Sequence, residues 1–163
     1  MDNKHIRYVA FYTHNKIMNE NRQSALSAAT KIEYVANALV ENNYSVEIVS
    51  PSWSNNTSGF YTGKVNCISN NITLKTFNSF GAKRRFFKML KYLYSLFQLF
   101  LYLIFNVSED ETILVYHSMM ISAPIRLARF FKNFNIILEI EEIYQDIQSF
   151  SKAEKISEYK LIN

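Results

Sequence analysis

The sequence predicts an α/β fold with a doubly wound parallel sheet, because apolar strand patterns alternate with amphipathic helix patterns along its 163 residues. The clearest unit comes first: residues 7–12 and 46–50 predict strands, and residues 24–43 predict the helix between them. A unit of this length builds two parallel strands joined by a crossover helix. With three glycines and two prolines, the chain lacks the turn residues that a many-stranded all-β fold requires.

The remaining elements continue this alternation after a polar segment at 53–70. They are strands at 72–77, 111–117 and 135–140, a long helix at 83–107, a helix opened by Ser122 and Pro124, and a charged helical tail at 151–163. The last strand is almost continuously apolar, as expected when helices cover both faces of a sheet. Ligands of such a sheet bind beyond the carboxyl ends of the strands, so the segments that follow the strands are the candidate site.

The composition excludes several kinds of protein and site. A hydrophobic fraction of 48% and a charged fraction of 20% argue against a disordered chain. The single cysteine, Cys67, cannot form an internal disulfide or a multi-cysteine zinc site, and it fits a reducing, cytoplasmic setting. His5, His14 and His117 have no metal-binding spacing, so we expect no metal. The amino terminus carries Arg7 and no apolar core, so we expect no secretory signal.

The segment after the first strand argues against an ordinary dinucleotide site. It contains no glycine, and the chain has neither a GxGxxG nor a Walker A motif, whereas a backbone that approaches a pyrophosphate closely needs glycine. A nucleotide- or flavin-binding protein is therefore disfavoured. Residues 13–23 instead offer many hydrogen-bonding side chains, which would suit a ligand with many hydroxyls. The alternative is a solvated surface loop.

Two later strand ends also carry polar side chains. His117 ends the fourth predicted strand and Ser118 follows it. The histidine could donate a hydrogen bond to a substrate or transfer a proton, or it could be satisfied by backbone groups. The acids after the fifth strand could bind sugar hydroxyls or a cation, or could form a charged turn. These acids are Glu139, Glu141, Glu142 and Asp146.

The long helix at 83–107 is basic at its start and apolar along most of its length. Five of the 18 Lys and Arg residues lie close together: Lys83, Arg84, Arg85, Lys88 and Lys91. Helical spacing continues this cluster into a narrow polar stripe through Ser95, Gln98 and Tyr102. The pattern fits a domain helix with one wet edge, a helix on an anionic membrane surface, or both. The charge-free run at 92–108 is short for a membrane span, and nucleic acid is disfavoured because no recognition motif appears.

Four segments stand out together: RYVAFYTHNKIMNENRQSALSAATKIEYVANALVENNYSVEIVSPSW, SGFYTGKVNCISNNITLKTFNSFG, ETILVYHSMMISAPIRLARFFK and NIILEIEEIYQDI. As a set they resemble the opening half of family 4 glycosyltransferases with the GT-B fold, especially those of bacterial capsule and surface polysaccharide synthesis. The resemblance implies two Rossmann-like domains with a cleft between them. The amino-terminal domain faces the acceptor and often touches the membrane, and the carboxyl-terminal domain holds a nucleotide-sugar, usually without a metal or other cofactor.

The resemblance also implies roles for individual residues. His117 corresponds to a histidine that contacts the transferred sugar, which makes it the predicted catalytic residue. The predicted substrate-binding residues are Asn21, Arg22, Ser24, Ser118, Glu141, Glu142 and Tyr144. Independently of the resemblance, the basic start of the long helix predicts the membrane-surface residues Lys83, Arg84, Arg85, Lys88 and Lys91.

Compared with that family, residues 1–163 correspond to an incomplete GT-B amino-terminal domain that lacks its final strand and the donor domain. We therefore expect a chain that is inactive alone and peripheral at the inner face of the cell membrane. It is either a truncated gene product or half of a split enzyme that a separately encoded donor domain completes. We also expect an exposed sheet edge that drives association or poor solubility. The alternative is a non-catalytic membrane-surface or binding module with the same fold.

Overall fold

A computed structural model describes residues 4–24 and 26–140. The elements in chain order are β1 (Lys4–Val9), a 3₁₀ helix (Asn15–Glu20), α1 (Leu26–Glu41), β2 (Tyr44–Ser50), β3 (Phe60–Tyr61), β4 (Val65–Ser69), β5 (Ile72–Thr76), β6 (Ser79–Phe80), α2 (Arg85–Asn106), β7 (Thr112–Tyr116), α3 (Met119–Phe131) and β8 (Asn135–Glu139). The main sheet has the order β4-β5-β2-β1-β7-β8, and only the β4–β5 pair is antiparallel. This topology confirms the predicted α/β, Rossmann-like doubly wound sheet.

Helices cover both faces of this sheet. On one face, Ile32 of α1 packs in a core with Tyr8. On the other face, Leu103 of α2 and Ile121 of α3 pack in a second core with Val9. Successive side chains of a strand point to opposite faces, so Tyr8 and Val9 are both fully buried although they are neighbours. This explains why apolar residues stand next to each other in the central strands, as Tyr8 and Val9 do in β1 and Ile48 and Val49 do in β2.

Several element bounds differ from the prediction. β1 lies three residues earlier than residues 7–12, yet Ala10 and Tyr12 beyond its end are fully buried. Their backbone N–H groups donate to the Val49 carbonyl and to Ser50 Oγ, at 3.1 and 3.0 Å. The apolar run therefore continues from the strand into the following loop. The segment at 53–70, predicted as an irregular excursion, contains β3 and β4.

From Lys91 onward the polar stripe of α2 lies against the protein, the opposite of the wet edge considered from the sequence, whereas Lys88 before it is exposed. Lys91 Nζ donates a hydrogen bond to the Ser54 carbonyl, and Ser95 Oγ donates to the Pro51 carbonyl. Tyr102 is buried as well. The large side chains that α2 exposes are instead Phe86, Phe87, Met89, Leu90, Leu93, Tyr94, Phe97 and Phe105.

By length and composition alone, α2 would be able to cross a membrane. The core helix of a soluble protein passes the same test when most of it is buried, whereas 28% of the most apolar window of α2 is buried here. In this fold α2 packs on the sheet beside α3 with one face open. Leu99, Tyr102 and Leu103 thus join α2 to the core of the domain, while its open face is apolar.

Candidate functional site at the carboxyl edge of the sheet

The loops that follow β1 and β2 are joined to each other at the carboxyl edge of the sheet. Gln23 N–H donates to the Trp53 carbonyl, and Asn55 N–H donates to the Asn21 carbonyl, both at 2.8 Å. An antiparallel bridge pairs the residues between these two bonds. The two loops therefore form one rim, which we define as residues 21–23 and 53–55.

The buried side chain of Arg22 stabilises this rim through hydrogen bonds. Its Nε donates to Glu20 Oε2 at 2.6 Å, and its Nη1 donates to the Ser52 carbonyl at 2.7 Å. Lys64 Nζ lies 2.9 Å from the second oxygen of Glu20. Burial alone would raise the pKa of Glu20, but the hydrogen bonds and charges of Lys64 and Arg22 hold that pKa below its ordinary value.

One of the three nitrogens of the Arg22 guanidinium is buried and makes no hydrogen bond within the described part of the chain. This nitrogen is Nη2, and the buried Oγ1 of Thr13 has no hydrogen-bond partner among the residues described here either. Asn21 is exposed and adopts a left-handed backbone conformation, with φ 44°. Ser24 lies next to the rim and is half-buried. The structure thus brings Asn21, Arg22 and Ser24 to one edge, with most of Arg22 committed to the loop.

His117 and Ser118 lie at the same edge, because β7 is parallel to β1 and ends there. His117 is 5% exposed, and its backbone N–H donates to the Glu139 carbonyl at 2.9 Å. Ser118 is the N-cap residue of α3, although its side chain makes no capping hydrogen bond. The Glu139 carboxylate accepts a hydrogen bond from Tyr8 and lies 3.1 Å from Lys31 Nζ. Glu141, Glu142 and Tyr144 lie outside the described residues.

A hollow of about 480 Å³ opens between the rim and the first turns of α2 and α3. It is lined by Trp53, Asn55, Lys88, Lys91, Tyr92 and Met120. The Trp53 ring lies edge-on to Phe11 and to Tyr92, with centroids 5.5 and 5.3 Å apart. Lys91 Nζ is the buried cation of this hollow.

An exposed apolar surface begins beside the hollow and runs along two helices. We call it the α2–α3 surface and define it as the exposed apolar residues of α2 given above together with Met120, Leu127, Phe130 and Phe131 of α3. The Phe100 and Phe131 rings, 6.1 Å apart, join the two helices. Exposed cations stand at its margin: Lys83, Arg84, Arg85, Lys88, Arg126 and Arg129. Lys91, which the sequence placed among the surface cations, is buried.

No protein-family model and no curated protein sequence matches the chain. Among solved structures, the chain is similar to a sucrose-phosphate synthase from Thermosynechococcus elongatus. The TM-score is 0.59 at 12% sequence identity, and the match covers 97% of this chain and 40% of the synthase. At this identity the similarity shows the fold alone. The chain spans less than half the length of that enzyme.

Apart from the two lysines, the residues that line the hollow were not predicted from the sequence. Trp53 is the one tryptophan of the chain and follows Pro51 at the end of β2, which is a position where a sheet of this kind exposes ligand-binding residues. That signal would have been enough to select it. Tyr92 and Met120 give no such signal, because each stands within an apolar helical pattern. Among residues 4–24 and 26–140, no cluster of His, Cys, Asp or Glu is suited to hold a metal ion.

Proposed function

We propose that the chain forms the acceptor-side wall of a glycosyltransferase cleft and contributes to the transfer of a sugar from a nucleotide-sugar to a lipid-linked or polysaccharide acceptor. The observation that carries this proposal is the arrangement at the carboxyl edge, where His117, Ser118 and the rim all lie at the same edge of a Rossmann-like sheet. The similarity in fold to a sucrose-phosphate synthase supports it. So does the sequence resemblance to GT-B transferases of capsule and surface polysaccharide synthesis.

In this proposal the chain's own residues bind and orient the reacting sugar. His117 donates a hydrogen bond to the transferred sugar, and its place beside Glu139 at the end of β7 fixes it in the sheet. Asn21, Arg22, Ser24 and Ser118, with Glu141, Glu142 and Tyr144, bind substrate hydroxyls or phosphate. A carboxyl-terminal donor domain binds the nucleotide-sugar and closes the cleft, which excludes water from the reaction.

We also propose that the α2–α3 surface binds an anionic membrane at its cytoplasmic face. The surface combines exposed aromatic and aliphatic side chains with marginal cations, the composition expected of a protein surface that inserts at the boundary between headgroups and acyl chains. Cations near anionic lipids contribute about 1 kcal/mol each. A membrane-bound chain would meet a lipid-linked acceptor at the surface where that acceptor resides.

The transferase proposal is tested with radiolabelled UDP-glucose, UDP-galactose and GDP-mannose and with polyprenyl-diphosphate-linked sugars as acceptors. We expect no transfer by this chain alone and transfer when a donor domain encoded beside it is added. The variant His117→Ala should then lose activity, whereas Tyr34→Ala, on the exposed side of α1, should keep it. Transfer by the isolated chain would contradict the expected inactivity.

The membrane proposal is tested by flotation with phosphatidylglycerol vesicles. Replacing the four exposed cations Lys83, Arg84, Arg85 and Lys88 with glutamine should weaken binding by roughly two orders of magnitude or more. Unchanged flotation of this variant would remove the membrane proposal. Flotation of the natural chain together with a failure of transfer in every pairing would favour the alternative, a membrane-surface module without catalysis, which the exposed α2–α3 surface also supports.

A further inference from the structure

We propose that the hollow between Trp53 and the first turns of α2 and α3 binds the phosphate group of a lipid-linked acceptor, with Lys91 and Lys88 as its cations. This inference rests on the proposed function for the identity of the lipid. The claim that the hollow binds an anion depends only on the geometry described below.

The first argument is a buried positive charge without a negative partner. Lys91 is 3% exposed, and its Nζ donates to the Ser54 carbonyl. Within the described part of the chain, neither Lys91 nor Lys88 lies within ion-pair distance of a carboxylate. A buried charge left unpaired is costly, and the cost is removed when an anion enters the hollow.

The lowered pKa of Lys91 also supports an anion site in the hollow. Burial, followed by the nearby charge of Lys88, lowers the pKa of Lys91 from its ordinary value. Both effects disfavour the ammonium form, and a bound anion would oppose both. Two cations on successive turns of one helix, directed into the same hollow, are therefore poorly explained by packing alone.

The hollow also has donors for phosphate oxygens. An ammonium group has three N–H bonds, and the Ser54 carbonyl uses one of those on Lys91. Met120 lies in the first turn of α3, whose N-cap residue Ser118 makes no side-chain capping bond. The first N–H groups of a helix have no partner within the helix, and together they favour an anion. The phosphate would therefore lie between Lys91, Lys88 and the start of α3.

The neighbouring surface indicates the kind of phosphate. Met120 lines the hollow and also belongs to the α2–α3 surface, so the hollow opens directly onto exposed apolar side chains. Trp53 and Tyr92 add aromatic walls. A free phosphate would use the cations alone, whereas a polyprenyl phosphate would also cover apolar surface, and each buried methylene contributes about 0.8 kcal/mol. The arrangement therefore favours a phosphate joined to a lipid chain.

Binding of farnesyl phosphate, farnesol and inorganic phosphate is measured by calorimetry on the purified chain. We expect farnesyl phosphate to bind at least about tenfold more tightly than either control. Equal binding of inorganic phosphate would overturn the lipid assignment, and equal binding of farnesol would overturn the anion site.

The variants identify the residues. Lys91→Met and Lys88→Gln should each weaken farnesyl phosphate binding about tenfold or more, and Lys91→Arg should recover most of it. Lys4→Gln, exposed at the start of β1, should bind as the natural chain does. Unchanged binding by both Lys88→Gln and Lys91→Met would overturn the proposal, and the exposed Lys88 keeps the test valid if Lys91→Met does not fold.

This experiment needs neither a donor domain nor a sugar. A failure of transfer therefore leaves the binding result intact, and a failure of binding leaves the transferase proposal standing with an acceptor held elsewhere. Vesicle flotation separates this site from the membrane surface. Lys91→Met should float with anionic vesicles as the natural chain does, because Lys91 is buried.

Discussion

The position of Arg22 at the candidate site was predictable from the sequence, but the partners of its side chain were not. The loop after β1 was expected to present polar side chains, and Arg22 does lie at the carboxyl edge of the sheet. Its Nε and Nη1 are nevertheless occupied by Glu20 and by the Ser52 carbonyl. Lys64, which completes the cluster, is 42 residues away in sequence. No local pattern carries information about such a distant partner.

Removing the carboxylate of Glu20 should destabilise the chain. Glu20→Gln leaves the buried guanidinium of Arg22 without its negative partner, and breaking a buried ion pair costs about 3–5 kcal/mol. Urea unfolding at pH 7 should show this loss in the midpoint. The matched control is Glu41→Gln, at the exposed end of α1, which should change stability by less than about 0.5 kcal/mol.

The stability difference between the natural chain and Glu20→Gln should depend on pH, and its sign follows from the pKa of Glu20. The pKa of Glu20 is lowered in the folded chain, so its stabilisation is fully present above the unfolded value of about 4.3. It is lost as the pH falls through the lowered folded pKa. The stability difference between the natural chain and Glu20→Gln should therefore shrink in strong acid. An equal difference at pH 7 and at pH 2 would show that Glu20 acts through packing and not through its charge.

At the scale of elements, α2 was predicted within two residues at its amino end and one at its carboxyl end, yet its orientation was not. Periodicity gives the stripe but not the side that faces the sheet. Here the stripe faces inward because its polar groups find partners there. Tyr102 donates to Glu47, and Arg7 Nε donates to the Tyr102 hydroxyl at 2.9 Å. Hydrogen-bonded polar side chains can thus occupy an interior that the apolar side would ordinarily fill.

Two alanine variants test this inverted orientation. Leu99→Ala should lose about 2–5 kcal/mol of stability, because Leu99 is fully buried in the α2–α3 core. Phe97→Ala should lose no more than about 0.5 kcal/mol, because Phe97 is largely exposed although it is the larger side chain. Both are measured by urea unfolding with unchanged slope. The reverse ranking would mean that α2 packs through its apolar side.

The strands that the sequence missed are short or weakly patterned. β3 and β6 have two residues each, too few for a periodicity to emerge. β4 begins at the exposed Val65 and pairs with β5 on only one side, at the edge of the sheet. An edge strand with little burial gives little hydrophobic signal. The central strands were identified because burial on both faces places apolar residues next to each other, as at Tyr8 and Val9.

At the scale of the whole molecule, the strand order explains which part of the site was predictable. Parallel strands bring their carboxyl ends to one edge. The sequence alone therefore predicts that His117, Ser118 and the loop after β1 lie at the same edge of the sheet. The hollow could not be predicted, because it depends on where α2 and α3 cross the loop after β2. The sequence shows Lys88 and Lys91, but it does not show that their side chains line the hollow. Strand topology therefore places His117, Ser118 and the loop after β1, whereas helix packing places the hollow.

The α2–α3 surface should make the isolated chain associate in lipid-free buffer. Exposed apolar patches larger than a few hundred Å² are rare on soluble monomers and drive association, and Phe130 in this surface is 83% exposed. The triple variant Phe97→Ser, Phe105→Ser and Phe130→Ser should weaken self-association about tenfold or more in sedimentation equilibrium. Tyr34→Ser, an equally exposed aromatic on α1, should not. A natural chain that sediments as a monomer at tens of micromolar would contradict the prediction, since association of exposed apolar surface is expected at micromolar to millimolar concentrations.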